Sequence, residues 1–331
     1  MEAEVKVNEA PAVQLEPALL TVSSSPHIRH GATTAKVMAE VLIAMTPALV
    51  WGVIVFGLNA LLMPLIAAAS CVLFEYVTQK LLHKPVTVHD LSAVVTGVLI
   101  GFNLPANDSY FLPIVGSAFA IIVVKQLFGG IGKNFLNPAL AARVFLFLSW
   151  PAQMTNYPAA FDRTVVDAVA SATPRAGGAV DALDLFLGKC AGSIGEISAL
   201  MLLIGGAYLI VRRVISWHIP VAYLGTVAVI AFVFPQVEGF FSLDFMLREL
   251  LTGGLMLGAL FMATDYVTSP ITKSGKLIFG VGCGLLTVFL RYFGSYPEGV
   301  SFAILVMNCL VYYIEKLTRP RVFGGGSHGK K

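Results

Sequence analysis

Apolar residues run in blocks along this chain rather than in alternation, and the blocks point to helices. Ten are legible, at about 36–56, 59–79, 91–104, 111–128, 138–150, 197–211, 219–234, 245–264, 277–293 and 301–314. Inside a bilayer a helix satisfies its backbone hydrogen bonds within one segment, where lipid offers no partner. A full crossing takes about 20 residues. The blocks at 91–104 and 138–150 are too short to cross unaided, which predicts half-helices or tilted pieces packed within a bundle. A long, less apolar stretch, 151–196, separates the fifth block from the sixth.

The two halves echo each other. Thr96-Gly97-Val98-Leu99-Ile100 lies over Thr252-Gly253-Gly254-Leu255-Met256, and the same offset lays Pro64 over Pro220. A slightly longer offset lays Ile114-Val115-Gly116 over Ile278-Phe279-Gly280 and Ala139 over Ala303. Five spans per half is an odd number, so the second repeat is inverted. The expected fold is an all-α polytopic membrane protein, with about ten transmembrane helices in two inverted five-helix repeats, some short or broken. Its expected parts are a cytoplasmic tail (1–35), a first repeat (36–150), an extracytoplasmic loop (151–196), a second repeat (197–314) and a cytoplasmic C-terminal tail (315–331).

Composition agrees with a lipid solvent. Hydrophobic residues make up 57% of the 331 and charged residues 12%, against roughly 45–50% and 25% for a soluble domain. That excludes a soluble globular enzyme, a disordered chain and a disulfide scaffold. The net charge of +3 is small, and no basic cluster suggests nucleic acid. Its distribution is informative. With the N-terminus in the cytoplasm and ten crossings, sixteen of the 22 Lys and Arg fall inside, among them Lys36, Lys80, Lys84, Lys125, Arg212, Lys273 and Arg319. Arg163, Arg175, Lys189, Arg248 and Arg291 fall outside, and Arg143 lies within a span. This follows the positive-inside rule and faces 151–196 outward, with its Asp162, Asp167, Asp181, Asp184 and Glu196. The acidic N-terminal stretch has no signal-peptide pattern and is expected to be a cytoplasmic tail.

Candidate chemistry is sparse. Cys71, Cys190, Cys283 and Cys309 are too scattered for a metal or cluster site. No His has ligand spacing, so an interfacial place is expected for His27, His30, His83, His89 and His218. Arg143, inside an apolar block, either touches a flavin or ion path or, the preferred reading, pairs with helix-end carbonyls or snorkels. Glu40 stands at i, i+4 from Lys36 and is expected to form a surface pair. Glu75 faces a lumen or a partner. Asp265 caps a following short helix or lines a cation path. Asn137 before Pro138 reads as a helix cap with proline in the first turn. In the outer loop, Asp167-Ala168-Val169-Ala170-Ser171-Ala172-Thr173-Pro174 surrounds one hydroxyl with small residues, and proline keeps Thr173 extended. By composition alone this is an ordinary loop.

Several longer motifs change that reading. Ser24-Ser25-Pro26-His27 precedes the first block, and Phe128-Gly129-Gly130-Ile131-Gly132-Lys133-Asn134 leads to Asn137-Pro138-Ala139-Leu140-Ala141-Ala142-Arg143. Ala263-Thr264-Asp265-Tyr266-Val267-Thr268-Ser269-Pro270 follows the eighth block, and Tyr296-Pro297-Glu298-Gly299-Val300-Ser301-Phe302-Ala303 opens the tenth. Together they resemble the RnfD family over about 24–324. Its members belong to Rnf complexes, the ion-translocating, membrane-bound ferredoxin–NAD oxidoreductases. More distantly the chain resembles the NqrB component of the sodium-pumping NADH–quinone oxidoreductase.

The resemblance implies an FMN joined through its phosphate to a threonine of the outer loop by a dedicated flavin transferase. The family pattern is similar to Asp-x-x-Ser/Thr-Gly/Ala-Ala-Thr. Asp167, Ala172 and Thr173 match it, and Pro174 follows. Ala170 stands where Ser or Thr is usual, and Ser171 where a smaller residue is usual. The resemblance also implies a non-covalent riboflavin in the membrane part, and no motif places it. It implies partners: other membrane and peripheral subunits, a second covalent-FMN subunit and iron–sulfur subunits in a cell (inner) membrane. The expected function is electron transfer through the bound FMN, coupled to Na⁺ or H⁺ transport. Ferredoxin and NAD sites are expected in sister subunits, because this chain has neither a nucleotide-binding domain nor a cysteine cluster, and no catalytic acid or base is named. Two alternatives stay open. One is the NqrB component of the quinone-reducing pump, whose relatives have longer N-terminal extensions than the roughly thirty residues here. The other is a flavin-free solute channel of the same architecture.

Overall fold

A computed structural model describes residues 33–161, 181–236, 241–294 and 299–320, and among these the chain is helical with no strand. All ten apolar blocks are helical. Helices α1 (Thr34–Phe56) and α2 (Asn59–Leu81) form an antiparallel pair, joined at Gly57, whose φ of 77° ends α1. Next come α3 (Ser92–Phe102) and α4 (Phe111–Ala118), the latter continued by a π-helical turn, Phe119–Gln126. Then follow α5 (Pro138–Ser149) and two short helices, α6 (Pro151–Met154) and α7 (Ala182–Leu187). The remainder is α8 (Ala199–Val211), α9 (His218–Val233), α10 (Leu243–Leu251), α11 (Leu255–Leu257) running into a π turn at Gly258–Met262, α12 (Lys273–Phe293) and α13 (Val300–Thr318).

Length and apolarity qualify α1, α2, α12 and α13 as spans, and α10 with α11 as a fifth, bent by 64°. The other five apolar helices are shorter. The protein is a multi-pass membrane protein that combines long helices with shorter ones.

Packing uses small residues, because lipid gives apolar side chains no reason to cluster and close backbone approach supplies the attraction instead. Gly97 and Gly101 of α3 press on Ala67, Ala68 and Pro64 of α2, with no room for a β-carbon. Gly280 and Gly284 of α12 sit in the same way against Ile219, Ala222, Tyr223 and Thr226 of α9. Phe102, Leu140, Tyr223, Phe279 and Met262 fill the core.

The chain enters two of its helices through left-handed residues. Leu91 has φ 61° just before α3, and Gly253 and Gly254 have φ 67° and 66° just before α11. Each is met by a buried cation from a helix further along the chain. Lys125 Nζ donates to Ser92 Oγ (2.7 Å), at the start of α3. Arg291 Nη2 donates to the carbonyls of Thr252 (2.8 Å) and Gly253 (3.3 Å). One expected correspondence is structurally uneven: Thr96-Gly97 lies within α3, whereas Thr252-Gly253 lies in the break between α10 and α11.

The stretch 151–196 departs from a solvent-facing loop at its downstream end. Residues 190–195 are all buried without being helical. Their backbone finds partners at the end of α3: Ile194 N donates to Leu104 O (3.1 Å) and Gly195 N to Phe102 O (2.9 Å). A buried irregular segment must place its backbone groups somewhere, and the last turn of a helix offers free carbonyls.

Candidate functional site

The polar centre of the bundle begins at the cap of α5. Asn137 accepts hydrogen bonds from Ala139 N (3.0 Å) and Leu140 N (3.3 Å), and Pro138 starts the helix, as the sequence implied. Its amide also donates to Met262 O (3.1 Å), fixing α5 on the π turn after α11. The cap sets the phase of the helix, and that phase turns Arg143 inward.

Arg143 is 6% exposed. Its Nη1 donates to Asn103 Oδ1 at 2.5 Å, and Asn103 Nδ2 donates to Leu99 O at 2.6 Å. Its Nη2 lies 3.7 Å from Glu196 Oε2, and both side chains are 6% exposed. Glu196 Oε1 accepts from Ser193 N (3.1 Å), closing the buried turn in which it sits. Gly254 completes the group: a β-carbon there would lie 2.5 Å from Glu196 Oε2 and 3.4 Å from Arg143 Nη1. One guanidinium therefore joins α5, the end of α3, the downstream end of the 151–196 segment and the α10–α11 break.

The surroundings are dry. Burial, with the nearby charge of Glu196, pushes the Tyr157 phenol far above its usual range. Burial pushes the Asp108 carboxyl up to about 7. Both groups sit in connections outside the spans, and Tyr157 feels the charges of Glu196, Arg143 and Asp108 together. The upstream arm of the loop is also fixed, since Phe161 N donates to Val55 O (3.3 Å) at the end of α1.

Two further buried pairs flank this centre. Lys125 Nζ is 2.9 Å from the Glu75 carboxylate, which also accepts from Gln126 Nε2 (2.9 Å) and Gln79 Nε2 (3.2 Å). Arg291 Nη1 is 2.9 Å from Glu249 Oε2. Such charges are tolerated inside a membrane protein only when paired and facing the bundle interior.

The expected site residues meet mixed outcomes. Asp167, Ser171, Ala172, Thr173 and Pro174 lie outside the described residues. Arg143 does not snorkel: it is buried, and its guanidinium reaches the side chains of Asn103 and Glu196. Glu40 is bound by Tyr208 and Arg212 at the end of α8. Glu75 faces a lysine of its own chain. Asp265 caps no helix: it accepts from Thr268 Oγ1 (3.0 Å) in a turn, while α12 is capped by Thr272. Among the described residues no group of His, Cys, Asp or Glu could hold a metal ion.

The ten-crossing charge count treats Lys125 and Arg291 as loop charges, yet both are buried. Lys125 falls within Ile121-Ile122-Val123-Val124-Lys125-Gln126-Leu127, and a cation inside an apolar run is the available signal. Glu196 gives no signal, since in sequence it is one acid among several in a loop.

A family model described as "NQR2, RnfD, RnfE family" matches residues 21–324. Among proteins of known name, the chain is 50% identical over 314 residues to the D subunit of the Na(+)-translocating ferredoxin:NAD(+) oxidoreductase complex of Acetobacterium woodii, covering 92% of this chain and 95% of that protein. It is 40% identical over 326 residues to the proton-translocating counterpart of Clostridium ljungdahlii, covering 94% and 98%. The D subunit of an ion-translocating oxidoreductase complex of Escherichia coli is 35% identical over 348 residues, covering 92% and 98%.

Proposed function

The chain belongs to the NQR2, RnfD, RnfE family, and from that premise we propose that it carries electrons through an FMN held on Thr173. It is a subunit of an Rnf-type ion-translocating ferredoxin:NAD⁺ oxidoreductase complex and works beside other subunits. The supporting observation is the conjunction of near end-to-end identity to Rnf D subunits with the Asp167…Ala172-Thr173-Pro174 segment in its long polar loop. FMN, when bound, accepts two electrons and passes them on singly, so it joins carriers of unlike chemistry. The chain's part is to present one hydroxyl. Its neighbours in the sequence, Ser171, Ala172 and Pro174, are small or short, which suits access by a flavin transferase. Phe161 on Val55 and Glu196 on Arg143 hold the two arms of the loop against the bundle.

The same reading includes a non-covalent riboflavin, a second covalent-FMN subunit and iron–sulfur subunits as partners. It includes Na⁺ or H⁺ as the coupled ion, and the named relatives include one of each. It includes two inverted five-helix repeats, ten crossings and cytoplasmic termini. The repeat is supported by the paired design of Lys125 at the start of α3 and Arg291 at the start of α11.

Mass spectrometry of the Thr173 peptide from the purified complex tests the assignment. The expected peptide carries the added mass of FMN less water, and Thr173→Ala abolishes the in-gel flavin fluorescence of this subunit. A bare Thr173 in an active complex refutes it.

A further inference from the structure

The charged group that closes the outer loop is Glu196, and four observations converge on it. Its turn is buried although it is not helical. Ile194 N and Gly195 N, just before it, are tied to the carbonyls of Leu104 and Phe102. Gly195 has no room for a side chain against the Phe102 ring. The carboxylate faces Arg143, which Asn103 holds from the other side, and Gly254 of the α10–α11 break closes over both.

A stretch that merely returned a loop to the next helix would not need a charge inside the bundle. Burying an ion pair costs desolvation, and the return is weak as a source of stability. What the pair supplies is one defined position for this arm, reported to the helix break through Gly254.

We propose that Glu196 is a positioning residue, clamped by Arg143, that fixes the downstream arm of the 151–196 loop against the ends of α3 and α11. Resting on the reading of Thr173 as the flavin carrier, the clamp sets the distance from the carrier to its electron partner. Electron transfer depends on such geometry, since the rate falls steadily as the separation between donor and acceptor grows.

The test uses the whole purified complex carrying Glu196→Gln, which keeps the shape and removes the charge. Three quantities are read: flavin on the Thr173 peptide, the rate of electron passage through that flavin, and hydrogen–deuterium exchange of the peptide covering 190–198. The expected result is full assembly and full flavin content, with electron passage measurably slowed and faster exchange at 194 and 195. Glu196→Asp, which keeps the charge, should recover part of the rate. Unchanged exchange and an unchanged rate in Glu196→Gln overturn the clamp. If Glu196→Gln fails to assemble, the double variant Arg143→Gln/Glu196→Gln, which leaves neither charge buried alone, is read by the same criteria. If the wild-type Thr173 peptide is bare, the carrier reading fails separately, and exchange at 194 and 195 alone decides for or against the clamp.

Discussion

At the scale of single residues, the polar positions of this bundle are set by what each group can reach. Glu40 and Arg212 meet near a surface, where water and salt screen them, and little stability is expected from their pairing. The pairs at Lys125–Glu75 and Arg291–Glu249 are different, because losing one partner strands the other in a dry interior. Asp108 is an acid whose pKa burial alone lifts from 3.8 to about 7. A carboxyl with a raised folded pKa binds more protons folded than unfolded between those two values. Its contribution is therefore best below the ordinary carboxylate range and is lost as pH climbs toward about 7. Asp108→Asn should raise the thermal midpoint at pH 8 and flatten its fall between pH 5 and 7, measured as release of this subunit from the purified complex; an unchanged pH profile would contradict the buried acid. Of these residues, sequence made the Asn137–Pro138 cap legible, because a cap is a local bond between neighbours. It could not make Asn103 or Glu196 legible as partners of Arg143. Their meeting depends on how three segments fold together, and no local spacing encodes that.

At the scale of elements, the helices follow from apolar run length, and their contacts follow from where glycine stands. Gly97 and Gly101 share one face of α3, four residues apart, and that face is the one pressed to α2. Gly225 of α9 is the natural comparison, since nothing lies within 4 Å of a β-carbon placed there. Gly97→Val should therefore push α3 off α2 and sharply reduce the yield of assembled complex, while Gly225→Val leaves that yield near wild type, as blue-native gels would show. Equal loss from both would mean that glycine serves backbone flexibility here rather than contact. The helix breaks were harder to read. Leu91 is a poor choice for φ 61°, so composition gives no warning of the turn before α3, and the continuous apolar run at 245–264 hides the break that Gly253 and Gly254 make with φ 67° and 66°. The Thr-Gly correspondence between the halves is uneven in the structure, with one copy inside α3 and the other in the α10–α11 break. A left-handed residue precedes both α3 and α11, and a buried cation reaches the start of each.

At the scale of the molecule, function depends on which side of the membrane the 151–196 segment faces, and charge is the argument for the outside. Lys273 and Lys276 at the start of α12, Arg212 and Arg213 after α8, and Lys316 and Arg319 at the end of α13 fall on one side of a ten-crossing thread. Removing the buried Lys125 and Arg291 from the count leaves that bias intact, since each is neutralised by its own carboxylate and neither meets the translocation machinery as a bare loop charge. The α1–α8 contact is consistent with the thread: Glu40 near the start of α1 meets Arg212 at the end of α8, so the two helices run antiparallel with those ends together. Leu183 of α7 and Lys273 are both exposed, which makes them usable reporters. With Cys309 replaced by alanine, Leu183→Cys should react with a membrane-impermeant maleimide in intact cells, and Lys273→Cys only after the membrane is opened. The reverse pattern would put the loop and Thr173 in the cytosol, away from the outward-facing flavoprotein expected as its partner. The carrier role would then fail however faithfully the helices matched.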